Sequence, residues 1–62
     1  MQQYRVYVSI VGSPWRPPYE GYVDVAGDNA EDAASRALDK LQNTSFSDVP
    51  RSSMRIKKVE RR

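Results

Sequence analysis

The sequence contains no cysteine and no histidine. Without thiols there is no disulfide, no cysteine nucleophile and no thiolate ligand. Without imidazole, the one side chain that ordinarily titrates near neutrality is missing. Zinc sites built on Cys or His are excluded with them. Glycine is scarce, at three residues, and none belongs to a phosphate-cradling loop or a Gly-x-Ser-x-Gly elbow. No apolar run is long enough for a membrane span or a secretory signal, so a cytoplasmic protein without membrane contact is expected. No repeat, low-complexity tract or linker divides the 62 residues, and residues 1–62 read as one domain. A domain this small buries only roughly 60% of its unfolded surface, so every large apolar side chain counts.

The carboxylates are scattered at Glu20, Asp24, Asp28, Glu31, Asp32, Asp39, Asp48 and Glu60. Asp28, Glu31 and Asp32 are close in sequence, but capping and the helix dipole account for acids at a helix start. So small a domain also has little room for a deep, dry pocket. The expectation is a protein that is not an enzyme, with no cofactor and no metal. Asn43-Thr44-Ser45 matches a glycosylation acceptor, which without a secretory signal reads as accidental.

What is present falls into an ordered series of patterns. Residues 4–11 alternate and are rich in β-branched and aromatic side chains, a strand signature. Tyr4, Val6, Val8 and Ile10 make its core face, with Arg5, Tyr7 and Ser9 opposite. Pro14, Pro17 and Pro18 cannot donate to a ladder and define a loop that carries the only tryptophan. A second strand covers residues 19–26, with Tyr19, Val23 and Val25 inward and Glu20, Tyr22 and Asp24 outward. Asp28 fits an N-cap paired with Glu31. Ala30, Ala33, Ala34, Ala37, Leu38 and Leu41 then form the apolar stripe of a helix over residues 29–42. Asn43, which tolerates a left-handed cap, should end it.

Residues 44–53 are polar, contain Pro50, and read as a connection. In a third strand over residues 54–59, Met54 and Ile56 share a parity that Val59 does not. A bulge near Lys57–Lys58 would reconcile them, or Val59 lies outside the core. With a right-handed crossover, this order predicts an α+β ββαβ domain. Its three-stranded antiparallel or mixed sheet has the order 2-1-3, with one helix on one face. The other face stays uncovered and carries Arg5, Tyr7, Ser9, Tyr22, Asp24, Arg55 and Lys57.

Two features point to contact surfaces. Residues 51–62 hold Arg51, Arg55, Lys57, Lys58, Arg61 and Arg62 against Glu60, a net +5, while residues 1–50 carry a net −3. Such a basic end is either an electrostatic contact face or an edge strand guarded by lysine and arginine. Trp15 also has two readings. With Arg16, Pro17, Pro18 and Tyr19 it makes an aromatic–basic prong for a protein interface or for stacking bases. Alternatively it folds back as a plug, and the alanine-rich helix, which leaves the core short of bulk, favours the plug.

Several segments carry a resemblance to the archaeal large-subunit ribosomal protein LX family. They are Tyr4-Arg5-Val6, Trp15-x-Pro17, the alanine-rich helix, and the closing run from Val49-Pro50-Arg51 through Met54-Arg55-Ile56-Lys57-Lys58-Val59. That resemblance implies an rRNA contact made by basic residues near the last strand. The topology and the junction from Ala26 to Ala37 also resemble small phage inhibitors of host RNA polymerase. The expected function is therefore a binding module for RNA or a ribonucleoprotein surface. Arg51, Arg55, Lys57, Lys58, Arg61 and Arg62 would meet phosphates beside Arg5, Tyr7 and Tyr22. The alternative is a protein-binding inhibitor or adaptor acting through Trp15, Arg16, Pro17, Pro18 and Tyr19 or through an edge strand. A homodimer through the uncovered face would also fit.

Overall fold

A computed structural model describes residues Met1–Arg62. Strand β1 spans Gln2–Ile10, β2 Tyr19–Gly27, helix α1 Ala30–Gln42, and β3 Met54–Arg61, with a single 3-10 turn at Arg51–Ser53 before β3. The sheet order is β2-β1-β3 and both pairings are antiparallel. The crossover through α1 makes the two edge strands run in the same direction, as the strand–helix–strand order requires. The molecule is thus the α+β ββαβ domain its patterns indicate.

Alternation builds the core. Tyr4, Val6, Val8 and Ile10 of the central strand are buried beneath α1, which contributes Ala33, Ala37 and Leu41. Small alanines let the helix lie close to the sheet. The tightest approach is at Gly27, where a Cβ would stand 2.8 Å from the Ala33 nitrogen. The bulge is present: Tyr7 faces Lys58 while Val8 faces Ile56, so Lys57 is the extra residue. The shift returns Val59 to the helix side, opposite Val6.

Four local expectations are corrected. The N-cap is Asn29, not Asp28: its side chain accepts from the Asp32 amide at 2.9 Å, and Asp32 accepts from the Asp28 amide. Both candidate pairs are three residues apart, and the contact of Gly27 with Ala33 sets the phase one residue later. Asn43 does end α1, but in a right-handed conformation, and no residue has positive φ. The Thr44 hydroxyl donates to the Lys40 carbonyl and the Phe46 amide to the Leu41 carbonyl, so the chain curls on instead of stopping.

That curl overturns the reading of residues 44–53 as a plain connection. Val49 is buried and Phe46 packs on the core, its ring 4.9 Å from Tyr19. Those side chains supply the bulk, and the plug reading of Trp15 fails. Trp15 is 86% exposed.

Candidate functional site

Register arranges the uncovered sheet face in rows across three strands. Nearest the β1–β2 loop, Ser9 stands between Glu20 and Arg55; next, Tyr7 stands between Tyr22 and Lys58, with bulged Lys57 beside them. Farther along, Arg5 stands between Asp24 and Glu60, and the Arg62 amide donates to the Gln3 carbonyl. The seven residues expected on this face are there.

The two halves of the face differ in how their charges are paired. In the far half Arg5 donates to Asp24 from Nε at 2.9 Å and Arg62 reaches the same carboxylate at 3.0 Å. The Arg5 guanidinium also lies over the Tyr22 ring, 4.1 Å from its centroid. In the half nearer the loop, Lys57 meets the carboxylate of Glu20 and Arg55 meets none, while Lys58 reaches across to Glu60. There Tyr7, Tyr22, Glu20, Lys57 and Lys58 line a shallow open depression of about 510 Å³. The tyrosine rings are 6.0 Å apart and tilted.

Ion pairs consume much of the basic end. Lys57 reaches Glu20 at 2.5 Å and Lys58 reaches Glu60 at 2.8 Å. Arg51 pairs with Asp39 and with Ser35 on α1, so it belongs to the helix side and not to the uncovered face. Arg61 stands opposite Tyr4, which also turns it to the helix side. The six basic residues expected to act together are therefore divided, and only Arg55 and Arg61 form no ion pair. Exposed pairs of this kind contribute about 0–1 kcal/mol each, so they set charge and position more than stability.

The pairings hold the acids ionised. Lys57 lowers the Glu20 pKa, Arg5 that of Asp24, and Lys58 that of Glu60, in each case chiefly through the side-chain hydrogen bond. Asp32 is lowered first by the Asp28 amide and then by Arg36. The Asp32 carboxylate is thereby committed to the cap and to Arg36.

The loop end carries a second surface. The Ser13 amide donates to the Arg16 carbonyl at 2.7 Å and the Arg16 amide returns to the Ser13 carbonyl at 3.2 Å. This closes a tight turn with Pro14 and Trp15 at its tip, Pro14 in the position where its fixed φ is favourable. The Arg16 side chain folds inward, donating to both Asp48 oxygens at 2.6 Å and lying 5.4 Å from the Phe46 ring centroid. Tyr19 likewise faces the core. Of the five residues expected to form a prong, Trp15, Pro17 and Pro18 are exposed, while Arg16 and Tyr19 brace them from beneath.

Val11, 54% exposed, lines a small hollow with Trp15 and Pro50. Its parity with Tyr7 and Ser9 marks it as an outward residue. The bracing role of Asp48 and Phe46 has no comparable signal in the sequence. Comparison with protein-family models, with curated proteins and with solved structures gave no match.

Proposed function

We propose that the protein is a non-catalytic binding module whose principal contact is the Trp15 turn, docked into an apolar cleft of a folded protein partner. The single observation that carries this reading is a tryptophan 86% exposed at the tip of a braced turn. Burying so large an aromatic surface is strongly favourable, and leaving it in water forfeits that stabilisation. The chain has a core that lacks bulk, yet it fills the gap with Phe46 and Val49 and keeps Trp15 outside. Prolines 14, 17 and 18 and the Arg16–Asp48 bridge hold the turn in place, so little freedom is lost when a partner closes on it. Tryptophan is among the residues that dominate interface energies, each often contributing 2 kcal/mol or more, by the general pattern of alanine scans. An inhibitor or adaptor that blocks a larger assembly would act in this way.

The test is capture from a lysate of the source cells by the wild-type chain and by Trp15→Ala, each with and without nuclease. A partner held by wild type, lost with Trp15→Ala and resistant to nuclease supports the reading. Absence of any capture that survives nuclease, or equal capture of the nuclease-resistant partner by the variant, refutes it.

A further inference from the structure

The half of the uncovered face nearest the loop has a character that the Trp15 turn does not use. Its depression joins two tyrosine rings to Lys57, Lys58 and the Glu20 carboxylate, with Arg55 in the adjoining row opposite Ser9. Arg55 has no acid partner at all. We infer that this half-face binds single-stranded RNA, with bases against Tyr7 and Tyr22 and phosphates at Arg55, Lys57 and Lys58.

Charge decides the occupant. Across the face five cations, Arg5, Arg55, Lys57, Lys58 and Arg62, meet three acids, Glu20, Asp24 and Glu60, an excess that suits a polyanion, and Arg55 is the cation that no acid reaches. The tyrosines make the site more than a charged strip. Tyr22 is 51% exposed and is held on one side by Arg5, so the ring is oriented before any base arrives. The depression is open, which suits a strand passing across it better than an enclosed small molecule. A duplex would present its bases stacked and unavailable to the rings. Ser9 and Glu20, in the same row as Arg55, offer oxygen acceptors to a ribose 2′-hydroxyl, the group that separates RNA from DNA. Glu20 has a second consequence: it occupies Lys57 at 2.5 Å and so restrains the affinity of the site.

The probe is a labelled oligouridylate on the order of ten nucleotides, within the usual range of site sizes, followed by anisotropy. With three phosphate contacts, the slope of log K against log salt for a single strand is about −2. Affinity then falls about twenty-fold between about 50 and 200 mM salt. Arg55→Ala should reduce that slope by about 0.7. Tyr22→Leu should weaken binding about five-fold or more with the slope unchanged, as expected for lost stacking. Glu20→Gln should tighten it at low salt by freeing Lys57.

Trp15→Ala should leave RNA binding as it is, so failure here and failure of the protein-contact reading are separately visible. Thermal unfolding of each variant checks the fold, and Arg55, exposed and unpaired, gives a variant whose effect does not pass through folding. No binding up to about 100 μM protein, the weak end of non-specific affinity, overturns the proposal. So do equal binding of an oligothymidylate, insensitivity to Tyr22→Leu, or a dimer in sedimentation that this substitution abolishes.

Discussion

Trp15 and Phe46 exchange the roles their sizes suggest, and paired substitutions measure the exchange. Phe46 packs against Tyr19 at 4.9 Å and lies beneath the Arg16 guanidinium, half-buried at the end of a ten-residue core. Fully buried phenylalanines cost about 3–5 kcal/mol when cut to alanine, and half-burial scales this to about 2 kcal/mol. At about 0.05–0.15 kcal/mol per residue, a chain this long is stable by only about 3–9 kcal/mol. Phe46→Ala therefore removes a large part of the total and should lower Tm by about 8–16 °C. Trp15→Ala deletes a larger side chain from a site 86% exposed and should change stability by no more than about 0.5 kcal/mol. Thermal unfolding followed by far-ultraviolet circular dichroism reads both. If Trp15→Ala loses as much as Phe46→Ala, the tryptophan fills the end of the core and the reasoning fails.

Other expectations follow from the same geometry. Gly27→Ala forces a methyl to within 2.8 Å of the Ala33 nitrogen, so the helix start must shift; a loss of about 1–3 kcal/mol in chemical denaturation is expected, and an unchanged midpoint would contradict the close approach. Glu20, Asp24, Asp32, Asp48 and Glu60 have folded-state pKa values below the ordinary 4.5 and 3.8 of Glu and Asp. Their contribution is complete above the unfolded values and lost as pH falls through the folded ones. Tm should therefore be level above about pH 5 and decline below about pH 4, and a rise on acidification would contradict the pairings.

Much of the fold is written in alternation. Tyr4 to Ile10 sort inward and outward by parity because β1 is central and has one covered face; the mismatch of Met54 and Ile56 with Val59 leaves a bulge near Lys57–Lys58 or an outlying Val59 as alternatives, and the register decides for a bulge at Lys57. The uncovered face is legible for the same reason, since parity alone places Arg5, Tyr7, Tyr22 and Arg55 together. The electrostatics of that face are less legible. A run of basic residues reads as one patch, but Arg51 and Arg61 turn to the helix side while Glu20 and Asp24 arrive from another strand to neutralise their neighbours.

The loop end was hidden for a different reason. Phe46 and Val49 reach the core through irregular turns after α1, where no period announces burial. Size alone then nominates Trp15 for the vacancy. The N-cap is a matter of phase: Asp28 with Glu31 and Asn29 with Asp32 have equal spacing, and only the packing of Gly27 distinguishes them.

Because the chain has a single tryptophan, its fluorescence reports directly on whether the turn holds that side chain in water. We expect the native protein to emit at the wavelength seen in denaturant and to be quenched by acrylamide and iodide nearly as well as the unfolded chain. A blue-shifted native emission that resists both quenchers would place Trp15 in the core and remove the contact on which the proposed function rests.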